Sequence, residues 1–171
     1  MSKRIFEMMA AYNAWANARV LDAAAELSEE EWLRDTGAFF GSVMRTLNHL
    51  LVADRIWLHR FTNQGQTYKS LDLVLHKEFA ALREARQAED ARIVRFIDEL
   101  TEATAEGRFT YTTVTDMRTV SQRLAPALMH VFNHQTHHRG QVHAILTGLG
   151  RPSITLDLAF FQRAEGNGRF A

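Results

Sequence analysis

Proline is scarce in this chain, and that scarcity limits what the chain can fold into. It occurs only twice in 171 residues, as Pro126 and Pro152. Because proline disrupts the interior of a helix, the long proline-free stretches rich in alanine and leucine favour helices. Hydrophobic residues make up 46% of the chain, so each helix has apolar side chains with which to form a buried face. We expect one domain, residues 1–171, because this length is typical of a single core.

Apolar residues at steps of three and four predict four long helices. Their expected ranges are residues 6–27, 42–61, 70–100 and 126–147. In the third range this spacing persists for about four heptads, with the charged Arg86 and Glu89, which are three residues apart and could pair, in its middle. Such a seam is typical of the shallow packing angles of a four-helix bundle.

A β-branched and aromatic segment separates the third and fourth predicted helices. Residues 108–115 predict a strand, and residues 119–122 predict a short return strand. A lone hairpin is marginally stable in water, so it must pack on the helices. The expected fold class is therefore all-α, a four-helix bundle with a small β-hairpin before the last long helix. A short amphipathic helix is expected from Thr155, and the end from Gly166 is expected to fray.

The balance of charges argues against polyanionic partners. Twenty Lys and Arg offset twenty Asp and Glu, whereas nucleic-acid-binding domains carry a basic excess and anionic membranes attract polybasic segments. No stretch has the ~18 uncharged apolar residues of a transmembrane helix, and the N-terminus lacks the apolar core of a secretory signal. The absence of cysteine excludes thiolate ligands and fits a reducing compartment. We expect a cytoplasmic protein with no nucleic-acid or membrane partner.

Histidine is the residue that points to chemistry, since five of the eight lie between residues 130 and 143. Residues four apart share a helix face, so either His130 with His134 or His134 with His138 can converge on one ion. All three cannot, because His130 and His138 lie ~12 Å apart along a helix axis while metal–nitrogen bonds measure only ~2.0–2.1 Å. A third protein ligand must come from another helix.

His49 is the favoured third ligand. Apolar residues three, four and seven positions after it place it on the buried face of the second helix, whereas His59 and His76 lie in more polar surroundings. Three neutral imidazoles suit zinc or nickel better than magnesium or calcium, and they leave a coordination position for water or substrate. The pattern by itself leaves open that His49 is a buried core histidine that binds no metal.

The segment Asn133-His-Gln-Thr-His-His-Arg-Gly-Gln141 resembles the signature of the DinB family of bacterial four-helix-bundle proteins, also called DinB/YfiT-like. Residues 12–17, 47–57 and 149–158 also resemble parts of that family, so the resemblance covers essentially the whole chain. It implies a nickel or zinc site formed by His49, His134 and His138, and a frequent homodimer. Related branches are metal-dependent transferases or isomerases that use a low-molecular-weight thiol such as mycothiol or bacillithiol.

We therefore expect a divalent-metal-binding protein that acts on a small-molecule substrate as a metal-dependent transferase with a low-molecular-weight thiol. One alternative is a non-catalytic metal-binding protein with a stress-response or assembly role, and another is a helical dimer without metal. A metal-dependent hydrolase is less favoured, because no glutamate that could act as general base lies between His134 and His138.

Five further polar residues are candidates for the surroundings of the site. Asn133 and Gln141 are expected to orient the imidazoles. Arg139 either binds a substrate carboxylate or forms a structural ion pair. Asn13 and Asn17 interrupt an apolar stripe, so they are either hydrogen-bonded core amides or the edge of the site.

Overall fold

The structure is a computed structural model that describes residues 3–164 and 169–170. In chain order its elements are α1 (Lys3–Ala24), α2 (Glu29–Leu33), α3 (Val43–Thr62), α4 (Phe79–Glu99), α5 (Glu102–Glu106), β1 (Arg108–Thr112), β2 (Thr119–Arg123), α6 (Leu124–Gly148) and α7 (Leu158–Ala164). The predicted all-α bundle with a hairpin before the last long helix is confirmed. Gly166, which was expected to fray, lies outside the described residues.

The four long helices bury their apolar faces against one another. Helix α1 packs on α4 and α6, and α3 packs on α6 and α4. One apolar cluster includes Leu51 and Leu146, and a second includes Phe6, Ile97 and Phe132, each of them almost fully buried. Burial of a side chain of this size stabilises the fold by about 1.5–3 kcal/mol. Among the described residues, no helix combines the length and the apolar content that a membrane crossing requires.

Helix α3 begins and ends close to where the sequence predicts. The hydroxyl of Ser42 accepts a hydrogen bond from the backbone N–H of Arg45, which satisfies a donor that the first turn leaves free. At the other end, Asn63 adopts a left-handed conformation with φ of 56° and donates its N–H to the carbonyl of His59. These two caps hold the helix that carries His49.

The third long helix is shorter than the prediction of residues 70–100, which is wrong at its start. Helix α4 begins at Phe79, and no α-helix forms between α3 and that residue. The buried amide of Asn48 accepts from the N–H groups of Leu75 and His76 and donates to the carbonyl of His76, at 2.8–2.9 Å. These bonds satisfy the backbone without a helix. Leu75 still packs on the core, which is why the apolar spacing continued.

The hairpin rests on the bundle, as its sequence required. Strands β1 and β2 are antiparallel, with Thr110 opposite Ser121. The ring of Phe109 lies 5.1 Å from that of Phe61, and the ring of Tyr111 lies 5.3 Å from that of Trp57. These aromatic contacts with α3 bury the inner face of the strands.

Helix α6 follows the hairpin directly, beginning at Leu124 with Pro126 as its third residue. A proline is tolerated there because the N–H groups of a first turn have no partner within the helix. The short helices α2 and α5 were not predicted. Each is stabilised by a capping box, which pairs Ser28 with Glu31 and Thr101 with Thr104.

Candidate metal centre

Three imidazoles from two helices meet inside the bundle. His49 comes from α3, and His134 and His138 come from successive turns of α6. The Nε2 atom of His134 lies 3.1 Å from Nε2 of His49 and 3.0 Å from Nε2 of His138. One nitrogen of each side chain lies within 4.8 Å of the other two. We call these three residues the histidine centre.

In His49 and His138, a hydrogen bond at Nδ1 fixes Nε2 as the nitrogen that faces the centre. Nδ1 of His49 lies 2.8 Å from the carbonyl oxygen of Leu71, and Nδ1 of His138 lies 2.7 Å from Oε1 of Gln141. Because these oxygens only accept hydrogen bonds, each Nδ1 carries the proton and each Nε2 presents a lone pair. His134 can donate to only one of the two lone pairs, so the three imidazoles cannot satisfy one another.

Burial keeps the imidazoles uncharged. It lowers the pKa of His134 to about 3, and the neighbouring imidazoles of His138 and His49 act in the same direction. Burial likewise lowers the pKa of His49, although the Leu71 carbonyl opposes it, and the pKa of His138, although Gln141 opposes it. Neutral imidazoles with free lone pairs are the form that binds metal ions.

The geometry fits a divalent ion. Bonds of ~2.0–2.1 Å at tetrahedral or octahedral angles separate ligand nitrogens by about 2.9–3.4 Å. The two Nε2 separations that involve His134, 3.0 and 3.1 Å, lie within that range. A set of nitrogen donors without thiolate or carboxylate is compatible with ions of zinc or nickel type.

A cavity of about 720 Å³ opens beside the histidine centre and reaches the three imidazoles from one side. The ring of Phe40 stacks on that of His49 at 4.1 Å and lies 5.5 Å from that of His138. Phe39, at the mouth, is 84% exposed. The charged side chains that line the cavity are those of Arg45, Lys69 and Asp72. The centre therefore has room for a further ligand on its open side.

The predicted neighbours of the site divide into two groups. Gln141 lies at the centre, where its carbonyl oxygen accepts from Nδ1 of His138. Asn133 is exposed, and its side chain forms no hydrogen bond with a described residue. The ring of His130 lies 5.8 Å from that of His134 but packs at 5.1 Å against Trp57, and it does not join the cluster.

Arg139, Asn13 and Asn17 belong to a different site. The guanidinium of Arg139 donates to the carbonyl oxygens of both asparagine side chains, and their amide nitrogens lie 3.4 and 2.9 Å from a carboxylate oxygen of Asp90. All four residues are almost fully buried. Arg139 therefore contacts polar groups of the core.

These contacts continue through the bundle as one buried network. Arg86 forms ion pairs with Asp54 at 2.8 Å and with Asp90 at 3.1 Å, and Gln135 donates to Asp54 at 2.6 Å. The predicted Arg86–Glu89 pair is not formed, since Glu89 pairs with Arg55 and Arg92. We call the following residues the ionic network: Asn13, Asn17, Asp54, Arg86, Asp90, Gln135 and Arg139.

Several residues at the centre were not identified from sequence. Phe40 and Leu71 lie in loops whose path no periodic pattern reveals, so no local signal identifies them. Arg45 did carry a signal, because it precedes His49 by four residues and a helix places such residues on one face. The same reasoning places Asp54 and Arg86 on buried faces, but it does not show that they meet.

Comparisons with known proteins agree with the fold and extend over nearly the whole chain. A sequence model of the DinB family matches residues 1–169. Protein DinB of Bacillus subtilis (strain 168) is 26% identical over 159 residues, which cover 88% of this chain and 89% of that protein. A DinB-like protein from Bacillus cereus ATCC 10987, known from a crystal structure, is similar with a TM-score of 0.65 and 16% identity, over 85% of this chain and 91% of that one.

Proposed function

The chain belongs to the DinB family, and on that premise we propose that it is a metal-dependent transferase that acts with a low-molecular-weight thiol. His49, His134 and His138 would hold a divalent ion, zinc or nickel. A small-molecule substrate would enter through the cavity. The observation that carries the proposal is the convergence of three Nε2 atoms on one point at the wall of an open cavity.

The chain's own residues would arrange the reaction. When bound, a divalent ion supplies an electrophilic centre that lowers the pKa of a small thiol. The carbonyl of Leu71 and the side chain of Gln141 hold His49 and His138 with Nε2 toward the centre. Phe40 covers one face of His49 and so keeps water from that side.

A metal-dependent hydrolase is the second candidate, and one carboxylate favours it. Asp72 lines the cavity, where it could serve as the general base that the histidine motif lacks. However, its hydrogen bond from Ser70 lowers the pKa of Asp72, with a smaller contribution from Arg45. A carboxylate of lowered pKa is a poor base, so we prefer the transferase. A non-catalytic metal protein would not need access from the cavity to the histidine centre, so this alternative is the less favoured one.

We also propose a cytoplasmic homodimer. The family resemblance supports the dimer, and the lack of cysteine fits a reducing compartment. Light scattering of the purified protein during size-exclusion chromatography tests the dimer: a mass of twice the 19.5 kDa chain is expected.

Metal analysis of protein purified without a histidine tag tests the ligand set. We expect about one ion per chain, lost in His49→Ala, His134→Ala and His138→Ala. His130→Ala is the matched control, since this residue has the same spacing from His134 but lies outside the cluster. Loss of metal in His130→Ala alone would reject the assignment.

Cobalt-substituted protein tests the thiol step. Addition of a small thiol should produce a thiolate-to-cobalt absorption band in the wild type and none in His134→Ala. A wild-type protein that binds cobalt but shows no such band with any of a panel of thiols would reject the transferase. Release of product from a small ester or amide by the same protein would then favour the hydrolase.

A further inference from the structure

We propose that the cavity beside the histidine centre binds its substrate through an anionic group, a carboxylate or a phosphate, held by Arg45 and Lys69. This inference rests on the proposed function and adds the chemical class of the small molecule. It predicts that the molecule is an organic anion whose reacting atom lies toward the imidazoles.

The positions of the two cations follow from the elements that carry them. Arg45 lies one turn before His49 on α3, so both side chains leave the same face of the helix. Lys69 lies two residues before Leu71, whose carbonyl oxygen binds Nδ1 of His49. Both cations line the cavity that the three imidazoles also line. An anion held there would therefore share one space with the centre.

Both cations remain available to a ligand, although the charge of Arg45 contributes to the lowered pKa of Asp72. Within the described part of the chain, the side chains of Arg45 and Lys69 form no ion pair and no hydrogen bond, whereas arginines such as Arg55, Arg86 and Arg139 are engaged. A guanidinium presents a planar fork of donors that matches a carboxylate or a phosphate. An unengaged fork at the wall of a cavity is suited to such a group.

The charge of the cavity also favours an anion. Its lining carries two cations and one carboxylate, that of Asp72. Asp72 already accepts a hydrogen bond from the hydroxyl of Ser70 and forms no ion pair with either cation among the described residues. With the imidazoles uncharged, the lining retains an excess of positive charge, which attracts anionic ligands to the opening.

The spacing along α3 limits the size of the ligand. Four residues of an α-helix rise about 6 Å, so the backbone positions of Arg45 and His49 are separated by roughly that distance along the axis of α3. A short chain of two or three carbons spans such a distance. The acid 3-mercaptopropionate, which carries a thiol at one end and a carboxylate at the other, is therefore a suitable probe.

The test compares this acid with its uncharged amide, 3-mercaptopropanamide, by titration calorimetry on the zinc-loaded full-length protein. We expect the wild type to bind the acid at least about tenfold more tightly, as one charge-assisted hydrogen bond predicts. In the double variant Arg45→Gln/Lys69→Gln, this preference should fall below about threefold. A wild type without the preference, or a double variant that keeps it, would overturn the inference.

A second double variant, Arg95→Gln/Lys77→Gln, is the matched control. It removes the same charge from two exposed side chains that do not line this cavity. The preference for the acid should be unchanged. An equal loss in this control would show that only the net charge of the protein matters, and would also overturn the inference.

Failure of the proposed thiol chemistry can be recognised separately. If neither thiol produces a thiolate band in the cobalt-substituted protein, the transferase proposal fails. The anion site is then tested with butyrate and its amide, butyramide, which lack sulfur. The wild type should bind butyrate more tightly than butyramide, and the double variant Arg45→Gln/Lys69→Gln should lose this preference. Acetate and inorganic phosphate as competitors distinguish the two anions. The anion that competes more strongly identifies the group that the site binds, carboxylate or phosphate. If neither anion competes, the site is rejected.

Discussion

Two groups of buried polar side chains lie within one bundle, and they differ in whether positive and negative charges, or hydrogen-bond donors and acceptors, occur in matching numbers. In the ionic network, two arginines face two aspartates, with amide side chains that both donate and accept between them. Each of the four long helices contributes at least one of these side chains. In the histidine centre, two of the three nitrogens that meet present lone pairs, and only the third, Nε2 of His134, can donate a hydrogen bond.

The difference indicates different roles. A buried network in which arginine and aspartate charges pair within the protein fixes how the helices pack and needs no added cation, although Nε of Arg86 and Nε of Arg139 have no hydrogen-bond partner among the described residues. A cluster with two lone pairs and a single donor gains from an added cation, because the cation can accept the lone pairs that the donor leaves unsatisfied. The ionic network therefore serves the fold, and the histidine centre is suited to a ligand. Substitutions should separate the two groups.

The largest effect on stability is expected from Arg86→Ala. This change leaves Asp54 and Asp90 without their shared cation in the core, and breaking a buried ion pair in this way costs about 3–5 kcal/mol. Urea unfolding of the metal-free protein measures the free energy of unfolding. Arg83→Ala, which removes an exposed pair with Asp22, should cost only about 0–1 kcal/mol. Equal costs for the two variants would remove the distinction between network and surface pairs.

The next effect is that of metal removal. Zinc at about 100 times its dissociation constant should raise the free energy of unfolding by about 2.7 kcal/mol, because it binds only the folded state. A chelator should reverse this gain. In metal-free protein, His134→Ala should change the free energy of unfolding by no more than about 1 kcal/mol. Zinc stabilisation that survives in this variant would place the ion elsewhere.

A smaller effect is expected from the residue that orients His138. Gln141→Ala removes the acceptor for Nδ1, and loss of such an outer partner weakens metal binding by about 10–100-fold. Asn133→Ala is the control, because this exposed side chain of the same motif does not contact the centre. Competition with a metal-sensitive dye measures both affinities. If the two variants bind zinc equally, Gln141 does not position the ligand.

The two groups also differ in how far the sequence predicts them. Helical spacing placed His134 and His138 on one face of a helix and His49 on the buried face of another, and the shape of the bundle then required those faces to meet. The spacing rule works here because each of the three histidines lies within a regular helix. It carries no information about loops, so the carbonyl of Leu71 and the ring of Phe40 were missed.

The ionic network shows a second limit. Arg86 and Glu89 interrupt an apolar seam in the sequence, and their spacing of three residues indicates that the two could pair. The actual partners include Asp54, which is distant in sequence and lies on another helix. A local pattern shows that a charge is buried, but only the packing of helices shows what neutralises it. The misplaced start of α4 has a similar cause, since Asn48 binds the loop through tertiary contacts.

The smallest predicted effect, and the one in which the two groups oppose each other, is the response of metal-free protein to pH. The pKa of His134 is lowered to about 3, below its unfolded value of 6.5, so the unfolded state takes up the proton first and stability is lost as the pH falls below 6.5. Burial raises the pKa of Asp90 to about 6, above its unfolded value of 3.8, although Arg86 opposes it. There the folded state holds the proton longer, so stability is lost as the pH rises from about 4 to about 6.

Single substitutions should therefore change the pH profile in opposite directions. As the pH falls from 7 to 5.5, His134 should lower the free energy of unfolding of the wild type by about 1 kcal/mol, and His134→Ala should abolish this loss. Over the same pH interval, Asp90 should raise the free energy of unfolding by a similar amount, and Asp90→Asn should abolish this gain. Urea unfolding at both pH values measures each change, with His143→Ala as a control for a half-buried imidazole outside the histidine centre. Shifts of the same sign in the two variants would mean that one of the groups does not titrate as its surroundings require. Because only the sign separates them, this measurement compares the groups independently of how much each contributes to stability.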